Sequence, residues 1–161
     1  MTYYKTDTAD CSNSVIARIS RWFKKAKPAP DQNDITTQLG VHFEEVTEMI
    51  ASLKGYDRMT QSLLTAAMIA NHSLALHLKA STDEIILIQD RQEFLDALCD
   101  QIVTAVGSGV LLQMDVTGGI EEVSDSNDSK FDPATGLPIL NEHGKIMKGS
   151  AYRKANLAPF V

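Results

Sequence analysis

Apolar residues recur along the chain at alternating steps of four and three: Leu39, Phe43, Val46, Ile50 and Leu53. That is the period of one stripe on an α-helix, and it predicts a helix from about Ile35–Thr37 to Lys54, with Gly55 as its stop. A second helix is predicted from about Thr60 to Lys79, with Leu63, Ala67, Ala70, Leu74 and Leu78 as its stripe. A third runs from about Arg91 to Met114, turning Leu95, Leu98, Ile102, Ala105 and Gly109 toward the core. Gly107 and Gly109 cost helix propensity there, so their expected use is close approach to another helix. Shorter helices are expected at Ser14–Lys25 and Gly119–Ser126. Ser81-Thr-Asp-Glu84 has the form of a capping box, Ser81 as cap and Glu84 as its partner. The Ile-Ile-Leu-Ile run after it stays open between strand and buried helix.

These elements predict an all-α protein whose organisation falls into three stretches. Residues 1–34 form a leader with one short helix, closed by Pro28 and Pro30 and a linker at Asp31–Asp34. Residues 35–126 form an antiparallel helical bundle. Residues 127–161 form an irregular tail with a turn at Asp132–Gly136 and a small hairpin pairing the chain around Ile139 and Ile146. The leader helix is amphipathic, with Val15, Ile16, Ile19, Trp22 and Phe23 opposed to Arg18, Arg21, Lys24 and Lys25. A basic helix bearing a tryptophan can meet a membrane or a nucleic acid, but at this length the expectation is that Trp22 packs on the domain.

At 161 residues the chain is long enough for one domain with a core. Its longest apolar runs, near Leu63–Ala70 and Ile102–Leu112, are too short or too polar to span a bilayer, and no basic-then-apolar signal segment opens it. Cytoplasm is the expected compartment. Cys11 and Cys99 have no metal-type spacing, so both are expected as free thiols. The net charge of −6 argues against a general nucleic-acid binder, which would show a basic face. Between Gly40 and Asp100 ten acidic residues face four basic ones, whereas from Asn127 onward the basic residues prevail. An acidic centre with a basic tail suits a cation and a polyanion held together, and equally a fold that neutralises itself.

The acidic residues are spaced for chemistry. Glu45 and Glu48 sit three apart beside the first apolar stripe, and Glu93, Asp96 and Asp100 follow one face of the third helix at steps of three and four. Like charges so close are mildly destabilising on a bare helix. Two such helices packed antiparallel bring Glu45 and Glu48 opposite Asp96 and Asp100, an oxygen-lined site for Mg²⁺ or Mn²⁺. Two separate solvated acidic faces are the alternative. His72 and His77 lack the Glu-x-x-His spacing of di-iron bundles and are expected as surface or hydrogen-bonding residues. Lys145, Lys148 and Tyr152 lie in the tail, where polar side chains can reach a ligand. No glycine-rich nucleotide loop, Ser/His/Asp order or activated cysteine is evident.

Glu44-Glu-Val-Thr-Glu48 followed by Asp96-Ala-Leu-Cys-Asp100-Gln-Ile-Val resembles the all-α nucleoside triphosphate pyrophosphohydrolases of the MazG-like group. Gln38-Leu-Gly-Val-His-Phe-Glu-Glu-Val-Thr-Glu-Met is similar to bacteriophage members, as are Glu122-Val-Ser-Asp-Ser-Asn127-Asp-Ser-Lys130-Phe and Gly144-Lys-Ile-Met-Lys-Gly149. The likeness covers roughly residues 36–54 and 90–157, with three motifs in order. It departs where Ala97 stands three before Asp100, which leaves Glu93 and Asp96 as competing ligands. Tyr56–Gln89 carries no matching motif.

The resemblance implies Mg²⁺-dependent cleavage between the α- and β-phosphates of a nucleoside or deoxynucleoside triphosphate, with a lean toward purines. It implies Glu45, Glu48, Asp96 and Asp100 as metal ligands, and Glu44 to orient or deprotonate the attacking water. Asn127 and Lys130 would hold phosphate oxygens, and Lys145, Lys148 and Tyr152 would close the tail over the nucleotide. A homo-oligomer, dimer or tetramer, is expected, and neither nucleic acid nor membrane is an expected partner. The rival readings are a phosphoribosyl-ATP pyrophosphohydrolase-like enzyme and a non-catalytic helical interaction protein.

Overall fold

The computed structural model describes residues 14–81, 85–141 and 146–161. Among them are five α-helices, α1 (Val15–Ala26), α2 (Gln32–Ala51), α3 (Arg58–Ala80), α4 (Arg91–Leu111) and α5 (Val116–Asp128), and a last 3₁₀ turn at Ala158–Phe160. The protein is all-α. Among the described residues, pairing of β type is confined to two isolated bridges, Phe131 with Pro138 and Leu140 with Ile146. The second of these joins the extended pieces expected in the tail, and Met147 N–H donates to the Ile139 carbonyl at 2.7 Å. The intervening Glu142-His-Gly144 turn lies outside the described residues. The chain divides into two compact units, Ala29–Arg91 and Met1–Pro28 with Gln92–Val161. α1 falls in the same unit as α4, α5 and the tail.

In the unit of residues 29–91, α2 starts before the apolar stripe does. Asp31 caps it, accepting from Asp34 N–H at 2.8 Å, while the Asp34 carboxylate accepts from Asp31 N–H at 3.3 Å. The segment expected as a linker is therefore a capping box, with Asp in place of the usual Glu or Gln at the third position. α2 and α3 pack as a hairpin whose most buried α2 positions are Thr36, Gly40 and Thr47. Leu39, Phe43, Val46 and Ile50 are only half-buried, and Leu53 is exposed. The close seam thus uses small residues rather than the apolar stripe. Thr36 and Thr47 satisfy their hydroxyls on the carbonyls of Gln32 and Phe43, at 2.9 and 2.8 Å. A Cβ on Gly40 would lie 3.0 Å from the Ala75 carbonyl oxygen and 3.1 Å from Leu78 Cβ, which is why no side chain stands there.

The face of α3 is also displaced from expectation. Ala75 and Leu78 are buried and Leu64, Ala67, Met68 and Asn71 half-buried, while Leu63, Ala70 and Leu74 of the expected stripe are exposed. Only Leu78 and Ala67 are shared between the two sets. α3 begins at an Asp57 cap that accepts from both the N–H and the hydroxyl of Thr60, which holds the carboxyl below its ordinary range. Ser81 closes this helix instead of opening another, donating its N–H to the His77 carbonyl. Residues 85–90 are irregular, so the Ile-Ile-Leu-Ile run is neither strand nor helix; Glu84 lies outside the described residues.

In the other unit, α1 starts from a Ser14 cap and packs on α5, which meets the terminal 3₁₀ turn. α5 starts three residues earlier than expected, at Val116, behind an Asp115 cap accepting from Gly118 N–H at 2.9 Å. Asp115 N–H itself donates to the Phe160 carbonyl, tying the tail to this helix start. α4 ends in a 6→1 and 5→2 pair of hydrogen bonds, Met114 N–H to Gly109 and Gln113 N–H to Val110. Gln113 supplies the left-handed residue, φ +62°, a place glycine ordinarily fills. Gly109 does allow a close approach, to Val116, whereas nothing lies within 4 Å of a Cβ on Gly107.

Within its unit α4 packs along neither α1 nor α5. Its apolar residues are correspondingly open: Leu95, Val103 and Val110 are each more than 60% exposed, and the expected core residue Ile102 is 48% exposed. By length and composition alone α4 could cross a membrane. Asp96 and Asp100 stand against that, since a carboxylate near the centre of such a span costs about 2.5–3.5 kcal/mol. Cys99 is an exposed free thiol, and Cys11 lies outside the described residues.

Candidate functional site

Glu44, Glu45 and Glu48 occupy consecutive turns of α2. Glu44 points along the α3 side, where its Oε1 accepts from Lys79 Nζ at 2.6 Å. The stem of Lys79 reaches it across Gly40: a Cβ there would sit 2.8 Å from Lys79 Cγ. The bare glycine therefore permits both the helix contact and the ion pair. Glu45 and Glu48 are exposed, one turn apart, with Met49 (58%) and Leu53 (51%) open to solvent nearby. Sequence reasoning placed the carboxylates on this helix but not Lys79, whose pairing with Glu44 depends on the register of α3.

On α4, Glu93, Asp96 and Asp100 are all exposed along one face. Among the described residues no three His, Cys, Asp or Glu side chains come together as a metal cluster. The expected ligands are present as two exposed pairs, one on each unit. Their oxygen chemistry fits a hard divalent cation, since Mg²⁺ and Mn²⁺ take carboxylate and water oxygens. His72 and His77 are exposed on α3, as expected.

The expected phosphate-holding residues meet at the end of α5. Lys130 Nζ donates to Asn127 Oδ1 at 2.7 Å, and the Asn127 carbonyl accepts from Trp22 Nε1 at 3.0 Å. Trp22 in turn stacks on Phe131, with centroids 5.4 Å apart and planes at 11°. The tryptophan of α1 therefore packs on its own unit, as expected, and it frames Asn127 and Lys130. Further along, Lys148 Nζ lies 4.7 Å from the Tyr152 ring centroid. Lys145 lies outside the described residues.

An ion network that the sequence did not disclose holds these parts together. Arg18 of α1 bonds Asp128 at 2.6 Å and also meets Asp125, which raises the guanidinium pKa, first through the Asp128 hydrogen bond. Arg153 of the tail bonds Glu122 through both guanidinium nitrogens, at 2.6 and 3.1 Å, and reaches Asp125 at 3.3 Å. Glu122 also accepts from Asn156 N–H at 2.8 Å. With Arg153 and that N–H beside it, the Glu122 carboxyl is held below its ordinary range. Ser126 and Ser129 hydroxyls bond the Arg153 backbone, and so fasten the tail to α5. Glu122, Asp125 and Asp128 follow each other at i+3 steps, which marks one acidic stripe. Nothing in the sequence named Arg18 and Arg153 as its partners.

No protein-family model matches the chain, and no curated protein or solved structure matches it.

Proposed function

We propose that the protein hydrolyses nucleoside or deoxynucleoside triphosphates to monophosphate and pyrophosphate in a Mg²⁺-dependent reaction, with a lean toward purine nucleotides. One observation carries the reading: Glu45 and Glu48 on α2, and Asp96 and Asp100 on α4, are exposed carboxylate pairs set among apolar side chains that are also exposed. Apolar faces of this kind are normally covered, and carboxylates drawn into a covered face need a cation or hydrogen bonds to offset lost hydration. Glu45, Glu48, Asp96 and Asp100 would hold the ion, which supplies neutralisation of phosphate charge and a more acidic bound water. Water oxygen would bond to the α-phosphorus while its proton passes to Glu44 or to solvent, the bond from that phosphorus to the α–β bridging oxygen would break, and pyrophosphate would depart with that oxygen.

The chain's own groups serve binding and orientation. Glu44, which Lys79 holds by an ion pair, would orient or deprotonate the attacking water. Asn127 and Lys130 present an amide and an ammonium to phosphate oxygens, and Lys148 and Tyr152 close from the tail. The same reading makes the protein a homo-oligomer, because the open apolar length of α4 needs a partner surface. That exposed helix also favours the rival reading of a non-catalytic interaction protein. Pyrophosphate release from all NTPs and dNTPs, with Mg²⁺ or Mn²⁺, separates the two. Release from at least one substrate, abolished by Glu48→Ala, supports the hydrolase. If no substrate is cleaved above the Glu48→Ala control, and calorimetry finds no Mn²⁺ binding that Glu48→Ala removes, the enzyme reading fails.

A further inference from the structure

The tail is fastened to α5 chiefly at one residue, Arg153. Its guanidinium bonds the two Glu122 oxygens at 2.6 and 3.1 Å and reaches Asp125 at 3.3 Å. Its N–H donates to the Ser129 hydroxyl at 3.0 Å, and its carbonyl accepts from the buried Ser126 hydroxyl at 2.9 Å. Asn156 N–H adds a bond to Glu122 at 2.8 Å. The flanking chain is held by other means. Upstream, Met147 N–H donates to the Ile139 carbonyl, and Gly149 lies close against the Ile139 side chain. Downstream, the Phe160 carbonyl accepts from Asp115 N–H, and the Phe160 ring lies where a Cβ on Gly118 would meet it at 2.6 Å. Residues 150–157 are therefore a strap slung between two anchors and joined to α5 by polar bonds. Arg153, Lys154 and Asn156 are exposed, so water can take over these bonds when the strap lifts, and the net cost per bond is small.

We propose that residues 150–157 act as a salt-sensitive strap that lifts from α5 and closes on it again, with Arg153 as its latch. The bonds of the Arg153 guanidinium are charge-assisted and lie at the surface, its side chain being 48% exposed, so dissolved ions screen them. Arg153 answers Glu122 and Asp125, while Arg18 of α1 answers Asp125 and Asp128. α1 has a second hold on α5 in the Trp22 bond to the Asn127 carbonyl, and it stays in place under salt that frees the strap. Ser126 and Ser129 bracket Asn127 and adjoin Lys130, so the state of the strap sets access to that end of α5. It also sets whether Tyr152 stays beside Lys148. The latch is a property of the Arg153 bonds and stands whether or not the chain hydrolyses nucleotides.

Amide hydrogen exchange of the full chain, read by mass spectrometry, follows the strap directly. It is compared at about 0.15 M and about 1 M NaCl, between which the Debye length falls from about 8 to about 3 Å. The amides at positions 153 and 156, both bonded in the closed strap, should exchange about threefold or more faster at the higher salt. In Arg153→Gln they should exchange about tenfold or more faster at either salt, as loss of charge-assisted hydrogen bonds requires. Glu122→Gln keeps an acceptor and should open the strap less than Arg153→Gln. Amides of α2 and α3 serve as the internal reference and should not respond. The salt response of the parent needs no variant, so misfolding of either one leaves the test intact. Exchange at 153 and 156 that ignores salt in the parent overturns the latch. So does loss of protection that spreads through α5, because the whole unit then loosens and the strap does not move by itself.

Discussion

Replacing Gly40 by alanine opposes two effects of similar size. Alanine gains about 1 kcal/mol of helix propensity over glycine in a helix interior. Against it stands the new Cβ, 2.8 Å from Lys79 Cγ, 3.0 Å from the Ala75 carbonyl oxygen and 3.1 Å from Leu78 Cβ. The lysine stem can swing aside, but the carbonyl belongs to the α3 backbone and Leu78 is 2% exposed, so α3 itself must retreat by a few tenths of an ångström. Overpacking of that kind costs about 1–3 kcal/mol. The expected balance is a net loss of about 1 kcal/mol, or roughly 2–4 °C in Tm for a chain of this length. Gly107→Ala is the matched control, because nothing lies within 4 Å of its Cβ and only the propensity gain should remain. Urea unfolding followed by helical circular dichroism compares the two; Trp22 emission does not, since Trp22 lies in the other unit. If Gly40→Ala is as stable as the parent or more so, the close α2–α3 seam is wrong. If Gly107→Ala is destabilising, a surface of another chain covers that face of α4.

Glu122→Gln should lower stability at neutral pH and lose that difference in acid, once the pH is below the depressed folded value. The folded carboxyl is held below its ordinary value by Arg153, so its contribution is present above the unfolded value and lost as pH falls through the folded one. Thermal melts of parent and variant at both pH values show whether the two curves converge. Gln113→Gly should stabilise by about 1 kcal/mol, because a left-handed residue with a side chain is strained and glycine is not, and the chemical denaturation midpoint reads it. Val103→Glu should dissociate the proposed oligomer, seen as a lower sedimentation coefficient; an unchanged monomer in the parent would refute the seam on α4.

Much of the helical content was legible because periodicity and caps agree. α1, α3 and α4 fall within a few residues of their expected bounds, and Asp57 and Ser14 cap two of them. The errors share a physical origin. Asp31–Asp34 reads as a linker by composition, yet two short acidic side chains can close a capping box. Ser81 looks like a helix start because Ser at a helix start and Ser just past a helix end are the same letter; the hydrogen bond to His77 decides. On α2, a glycine and two threonines make the seam, since backbone approach there outweighs burial of the larger apolar stripe. On α3 the true face is displaced from the expected one by about one position, a difference that an alanine-rich helix hardly marks. Of the candidate site, the helical spacing of the carboxylates on α2 and α4 and the nearness of Asn127 to Lys130 were legible from sequence. The Glu44–Lys79 pair and the Arg18 and Arg153 bonds join residues 35, 110 and 31 positions apart, and spacing alone carries no signal for them.

The pairing of α1 with α5 also sets an order of events during synthesis. α2 and α3 are neighbours in sequence and can form their hairpin as soon as both have left the ribosome. α1 emerges before α2 and α3, yet its partners follow them: the bonds from Arg18 and Trp22 reach 110 and 105 residues ahead. At 5–20 residues per second, α1 waits roughly 5–20 s with Ile19, Trp22 and Phe23 uncovered. A basic amphipathic helix left single for that interval is open to chaperones and to premature association. The burial of Trp22 against Asn127 and Phe131 is accordingly the signal by which completion of folding can be timed.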